Sequence, residues 1–136
     1  MLNENGAKVI AKLAHKGQKY GNDDYYEAHI RPLVEMVRVA GGNRHAIVAA
    51  YLHDVVEDTD LGIDDLIYLD VPMEAVITID KLTRNPDIEY LEYIKRIKAN
   101  KNAVLIKKLD ITLNLSNNPN PSLVKRYQKA LEILNT

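Results

Sequence analysis

The sequence predicts an all-α protein, an orthogonal helical bundle forming a single domain over residues 1–136. Three observations predict it. Apolar residues recur at helical spacing almost everywhere and nowhere clearly alternate. Turn signals interrupt that pattern at Gly41-Gly42, Asp60-Leu61-Gly62, Asn85-Pro86 and Asn117-Asn118-Pro119-Asn120-Pro121, so the segments between them have the lengths of ordinary helices. A chain of 136 residues is one ordinary domain, long enough to bury a sizeable core.

Val9, Ile10, Leu13 and Ala14 mark a first helix. Ile30, Leu33, Val34, Met36, Val37 and Ala40 mark a second, stopped by Gly41-Gly42. A third runs from about Asn43 to Glu57, apolar on every side from Ala46 to Leu52, which predicts burial over most of its surface. Ile63 to Leu69 forms a short helix and Met73 to Leu82 a longer one, closed by Asn85-Pro86. Ile88 to Ala99 is helical with Tyr90, Leu91, Tyr93, Ile94 and Ile97 as its inner stripe. Ala103 to Leu115 and Leu123 to Leu134 complete the set. There is no repeat and no low-complexity tract.

Eighteen basic residues against nineteen acidic ones leave a net charge of −1, which argues against a surface built for duplex nucleic acid. Local basic clusters, Lys95-Arg96-Lys98 and Lys107-Lys108, fall on amphipathic helices and read as solvated faces. With no cysteine there is neither a disulfide nor a thiolate zinc site, and the N-terminus lacks the apolar run of a signal peptide. The expected setting is the cytoplasm, with no membrane partner; association into a homo-oligomer stays open.

The functional signal sits at the end of the third helix. Tyr51-Leu52-His53-Asp54-Val55-Val56-Glu57-Asp58-Thr59 places four ionisable side chains on an otherwise apolar element. A buried His-Asp pair that served only packing would carry a large desolvation cost, which a divalent cation held by imidazole nitrogen and carboxylate oxygen offsets. His53 and Asp54 therefore read as metal ligands. Helical spacing puts Glu57 four residues after His53 and Asp58 four after Asp54. Acidic groups at a helix C-terminus oppose its dipole, so a role beside the metal, orienting water or moving its proton, accounts for them better than decoration does.

These residues resemble a known pattern. His29, His53-Asp54 and Asp110 match the H…HD…D order of the HD-domain metal-dependent phosphohydrolases, and Leu52 to Asp60 is similar to the LHDVVEDTD signature of RelA/SpoT-type (p)ppGpp hydrolases. Ala14-His15-Lys16-Gly17-Gln18, Lys81-Leu82-Thr83 and Lys107-Lys108-Leu109-Asp110 to Asn114 extend the likeness over most of the chain. The resemblance implies His29, His53, Asp54 and Asp110 as ligands of one divalent metal, usually Mn²⁺. It implies Glu57 and Asp58 as the catalytic pair that activates water, and Asn114 as a substrate contact. Lys107, three residues before Asp110, could offset charge near the metal, meet a phosphate or simply be solvated.

One segment departs from the pattern. Where those hydrolases carry an Arg-Lys pair for guanine and phosphate, this chain has Tyr20-Gly21, with only Lys19 nearby. A tyrosine can stack on a base but cannot neutralise a pyrophosphate. Lys19, Tyr20 and Tyr26 are candidate substrate contacts, with Tyr25 beside them, although core packing competes for each tyrosine. His15 reads as a packing residue or a support behind the ligands, and His45 as exposed. The expected activity is hydrolysis of a small nucleotide by metal-activated water, in the manner of a (p)ppGpp pyrophosphohydrolase. Two alternatives are an HD-type 5′-nucleotidase acting on nucleoside monophosphates, which would lack the full Glu57-Asp58-Thr59 tail, and a non-catalytic metal- or nucleotide-binding regulator, which loss of a ligand would have favoured.

Overall fold

Every residue of the third helix from Ala46 to Leu52 is buried, and the rest of the molecule is arranged around it. The computed structural model describes all residues, Met1–Thr136. In chain order it has α1 (Glu4–Ala14), a two-stranded ribbon of β1 (Lys19–Tyr20) and β2 (Asp23–Asp24), a π-turn (Tyr26–Ile30), α2 (Arg31–Val39), α3 (Arg44–Leu52) and α4 (Val55–Asp58). It continues with α5 (Ile63–Tyr68), α6 (Met73–Leu82), α7 (Tyr90–Ile97), α8 (Lys101–Leu115) and α9 (Pro121–Leu134). Helix α3 packs against α1, α2, α6 and α8, while α9 closes over α7 and α8. The predicted all-α architecture is therefore present. No helix is long and apolar enough to cross a membrane.

Asparagine sets where four of the helices begin. The side chains of Asn3, Asn43, Asn100 and Asn120 accept from the backbone N–H of Gly6, Ala46, Ala103 and Leu123 at 2.9–3.0 Å, satisfying donors that the first turns of α1, α3, α8 and α9 leave free. Helix α2 ends as Gly41-Gly42 predicts: Gly42 N–H donates to Val37 O at 2.9 Å and Gly41 N–H to Arg38 O at 3.1 Å, with Gly41 at φ +85°. That is the paired closure which a left-handed glycine permits.

The structure corrects the sequence reading in three places, all near the predicted site. The helix expected from Asn43 to Glu57 is broken at His53-Asp54, between α3 and α4. His53 Nδ1 lies 2.8 Å from Ala50 O, the carbonyl that the backbone N–H of Asp54 would otherwise use, so a side chain takes over one rung of the ladder. His29 sits in a π-turn closed by Arg31 N–H to Tyr26 O. Pro32 next in line has no N–H to offer the carbonyl of Ala28, which removes one of the bonds that would hold α-helical register. Lys19–Tyr20 and Asp23–Asp24 pair as antiparallel strands across Gly21-Asn22, too short for alternation to show in the sequence. Gly21 at φ +63° makes that two-residue turn affordable.

Candidate metal centre and active site

The break after α3, the π-turn and the middle of α8 bring His53, Asp54, His29 and Asp110 together, four residues from three parts of the chain. His29, His53 and Asp54 each offer a donor atom within 4.8 Å of the others. Asp110 Oδ1 joins them, 2.8 Å from His29 Nε2 and 3.6 Å from His53 Nε2, while Asp54 Oδ2 lies 3.0 Å from His53 Nε2 and 3.8 Å from His29 Nε2. His29, His53 and Asp110 are buried and Asp54 is largely so.

The tautomer of His53 follows from its surroundings. A carbonyl can only accept, so the 2.8 Å contact with Ala50 O puts the proton of the neutral ring on Nδ1 and leaves a lone pair on Nε2. That Nε2 is buried and has no hydrogen-bond partner, although carboxylate oxygens lie 3.0 and 3.6 Å away. Carboxylate oxygens that crowd an unpartnered imidazole lone pair are what a cation would reconcile. Two imidazoles and two carboxylates suit a divalent cation of the first transition row.

Electrostatics agree with that arrangement. Burial opposes a charge on His53, yet Asp54 and Asp110 outweigh it and hold its pKa well above the ordinary value. Burial likewise raises Asp54, but His53 more than compensates and brings it down to about 2. Asp110 is held well below the usual carboxylate range, burial being overcome by Lys107 and by both histidines. The carboxylates thus stay ionised and draw positive charge into the cluster. A dication competes for that place with a proton on His53.

Around the four residues lies a layer that fixes them. Tyr25 donates its hydroxyl to Asp54 Oδ2, and burial together with Asp54 pushes its pKa far up, so it remains a donor. Behind it His15 is fully buried, its ring 4.9 Å from that of Tyr25 and its Nδ1 2.8 Å from Gln18 Oε1. Gln18 in turn donates to Asp58 O at 3.0 Å, tying the turn after α1 to the end of α4. His15 therefore supports the site from behind. His45, expected to be exposed, is instead mostly covered, with Nε2 3.4 Å from Glu74.

The remaining candidates divide into those near the cluster and those away from it. Lys107 is not a solvated lysine: its Nζ lies 3.3 Å from Asp110 Oδ2 and 5.4 Å over the Tyr93 ring. Burial opposes its charge, but Asp110 keeps its pKa well above the lysine value. Tyr20 lies 4.8 Å from the His29 ring and donates its hydroxyl to Asn114 Oδ1 at 2.7 Å, so these two candidates form one unit over the cluster. Glu57 Oε1 accepts from the backbone N–H of Arg84 at 2.6 Å, which anchors α4 to the end of α6. Asp58 is exposed, and partial burial, Asp54 and Glu57 raise its pKa to about 6. Lys19 follows the two-fold alternation of the ribbon and emerges on the face opposite Tyr20. Tyr26 is buried under Lys12, whose Nζ lies 5.5 Å over its ring, and stands apart from the cluster. Sequence reasoning left Arg84 out. Its only signal was its place just after Lys81-Leu82-Thr83.

Known proteins share this fold and parts of this sequence. Over 102 residues, 75% of the chain, it is 28% identical to a protein of Streptomyces coelicolor named a GTP pyrophosphokinase. Over 52 residues, 38% of the chain, it is 38% identical to a Synechocystis protein named a probable guanosine-3′,5′-bis(diphosphate) 3′-pyrophosphohydrolase. The aligned parts amount to 12% and 7% of the lengths of those relatives. No known family profile matches the chain. Among solved structures, a metazoan ortholog of SpoT, described as hydrolysing ppGpp, superposes with a TM-score of 0.77 over 96% of this chain and 84% of that one, at 21% identity. The chain thus shares its all-α fold with that ortholog and is similar in sequence to short stretches of proteins named for the making and breaking of guanosine polyphosphates.

Proposed function

We propose that this domain is a metal-dependent nucleotide phosphohydrolase that splits pyrophosphate from a guanosine polyphosphate such as ppGpp. The observation that carries the reading is the buried, unpartnered Nε2 of His53 facing two ionised carboxylates. His29, His53, Asp54 and Asp110 would hold the cation, with Mn²⁺ as the expected metal. When bound, it supplies Lewis-acid polarisation of a phosphoryl oxygen and lowers the pKa of the attacking water.

The chain's own groups do the rest. Tyr25 and the Ala50 carbonyl fix Asp54 and His53 in orientation. Lys107 places a positive charge beside Asp110 that offsets charge developing on a phosphate. Glu57, held by Arg84 N–H, orients the water, and Asp58, with a pKa near 6, takes its proton as the water oxygen attacks phosphorus; the bond to the sugar oxygen breaks and that oxygen leaves as a hydroxyl, the proton passing on to it from Asp58. Asn114, held by Tyr20, meets the sugar.

A second reading, a 5′-nucleotidase acting on nucleoside monophosphates, draws on one observation. Tyr20 fills the position of the missing basic pair and brings no charge for a pyrophosphate. One experiment separates the two: metal analysis of the purified protein, then phosphate and pyrophosphate release from a nucleotide panel that includes ppGpp, with and without chelator. Pyrophosphate release that stops on chelation supports the first reading. Phosphate release from monophosphates alone supports the second, and a protein that retains no metal and cleaves nothing would sink both.

A further inference from the structure

Next to the cluster lies a cleft that the site described above does not use. It encloses about 430 Å³ between the end of α6, the start of α7 and the first two turns of α9, and its lining includes Arg84, Tyr90, Ser122, Lys125, Arg126 and Lys129. Ser122, Lys125, Arg126 and Lys129 fall on one helical face by their spacing of three, four and seven residues, and Arg84 comes from the opposite wall. Four cations therefore face one space. The only carboxylate on its rim, Glu89, is occupied in capping α7 through the backbone N–H of Glu92 at 3.2 Å.

Ordinary surface cations pair with carboxylates or extend into water; the two arginines here are gathered by an aromatic ring. Arg126 Cζ stands 3.8 Å from the centre of the Tyr90 ring and Arg84 Cζ 5.4 Å from it. Arg84 Nε and the Tyr90 hydroxyl are both buried without a hydrogen-bond partner, so the wall of the cleft carries polar groups that nothing in the protein satisfies. The first turn of α9 adds the positive end of a 14-residue helix to the same space. Every one of these features favours a compact, multiply charged anion.

The cleft is joined to the cluster. Lys107, at Asp110, lies 5.4 Å over Tyr93; the Tyr93 ring lies tilted 5.9 Å from that of Tyr90; and Arg126 lies on Tyr90. Arg84, on the other wall, is the residue whose backbone N–H holds Glu57. A relay of side-chain contacts through Tyr93 and Tyr90 therefore links Lys107 to the wall of the cleft.

We infer that Arg84, Lys125, Arg126 and Lys129 form a second anion subsite, which seats the phosphate group at the end of the substrate remote from the bond that is cleaved. This rests on the reading of the cluster as a nucleotide phosphohydrolase centre. It also gives the positive charge that Tyr20-Gly21 fails to supply a different address, in the loop after α6 and on α9.

The test measures binding and turnover separately, at fixed ionic strength. Equilibrium binding is measured in chelator for guanosine carrying diphosphates at both the 3′ and 5′ positions, and for guanosine carrying only the 3′ diphosphate, with the parent protein, the double variant Arg126→Ala/Lys129→Ala and Arg126→Lys. The double variant should bind the two-ended nucleotide on the order of tenfold or more weaker and the one-ended nucleotide within about twofold of the parent, as expected for lost charge-assisted contacts. Arg126→Lys should recover much of that loss. Equal weakening of both nucleotides, or of neither, in variants with unchanged circular dichroism, would overturn the subsite. So would inorganic pyrophosphate that binds the parent and leaves the affinity for the two-ended nucleotide unaltered, because the cleft would then hold a free anion. Turnover of both nucleotides with Mn²⁺ reports on the cluster independently: if neither is cleaved but the binding pattern holds, the hydrolase reading fails and the anion subsite stands.

Discussion

The metal cluster and the basic cleft are neighbours built on opposite principles. The cluster buries two carboxylates against two histidines, with His29 close on Asp110 and His53 Nε2 left without a partner, so each residue type answers to its surroundings. In the cleft, Lys125 and Lys129 remain exposed, and its cations are united only by a shared space and the ring of Tyr90. On the proposed reading the first arrangement would serve chemistry, where a displacement of an ångström matters, and the second recognition, where charge acts at longer range. Substitutions should accordingly separate the two regions, with the cluster governing metal retention and turnover and the cleft governing affinity.

The largest effect is expected at the ligands themselves. Asp54→Ala or His53→Ala opens the donor set and leaves a buried partner unpaired, so metal content and activity should vanish together. Retention of metal in both variants, measured by elemental analysis, would remove the cluster from the mechanism. Glu57→Gln should behave differently. The amide oxygen can still accept from Arg84 N–H, so the metal and the fold should stay while kcat falls roughly 10²- to 10⁴-fold. Equal loss of metal and turnover in that variant would mean that Glu57 supports the site rather than orienting water.

A smaller effect is expected where the ribbon meets the cluster. Tyr20→Arg exchanges a stacked ring for a charge and should raise ppGpp turnover about tenfold if phosphate neutralisation there is limiting. The matching change at Gly21 is a poor test, since lysine at φ +63° carries a strain of about 1–2 kcal/mol. Unchanged or lower turnover for Tyr20→Arg would show that the bond from Tyr20 to Asn114 outweighs the missing charge at that position.

How much the sequence revealed follows the same division. Helices α6 and α8 stand almost where periodicity and Asn85-Pro86 put them, because their apolar faces and caps lie within a few residues of one another. His53 and Asp54 were legible because a His-Asp pair on an otherwise apolar helix demands an explanation, whereas His29 and Asp110 were legible only through the resemblance to the H…HD…D order. The break at His53-Asp54 was not, since it depends on a single side chain displacing a backbone donor at Ala50. Nor was the choice between Tyr25 and Tyr26: adjacent tyrosines look alike in sequence, yet the π-turn sends one to Asp54 and the other under Lys12. Arg84 and Arg126 lie 42 positions apart, and only the packing of α9 on α7 brings both to one tyrosine. Charges that cooperate over such a separation leave no local pattern.

The smallest effect concerns stability, and its sign can be worked out. With chelator present, the folded-state pKa of His53 lies above its unfolded value of 6.5, so its contribution is complete below that pH and is lost as the pH rises through the folded pKa. Asp54, lowered to about 2 from 3.8, contributes fully above its unfolded value and loses that contribution only as the pH falls towards 2. The chelated protein should therefore gain most from the cluster between roughly pH 4 and 6.5 and lose part of it above. Mn²⁺ should act in the opposite sense, because it needs neutral imidazoles and competes with protons on the acid side. At about a hundredfold excess over its Kd the metal adds about 2.7 kcal/mol, a rise in Tm on the order of 10 °C for a domain of this size. Melting curves with Mn²⁺ and with chelator should thus converge near about pH 5 and separate progressively towards about pH 8. Curves that coincide at neutral pH, or that keep a constant gap across the range, would reduce His29 and His53 to packing residues and leave the cleft as the one binding feature of this face.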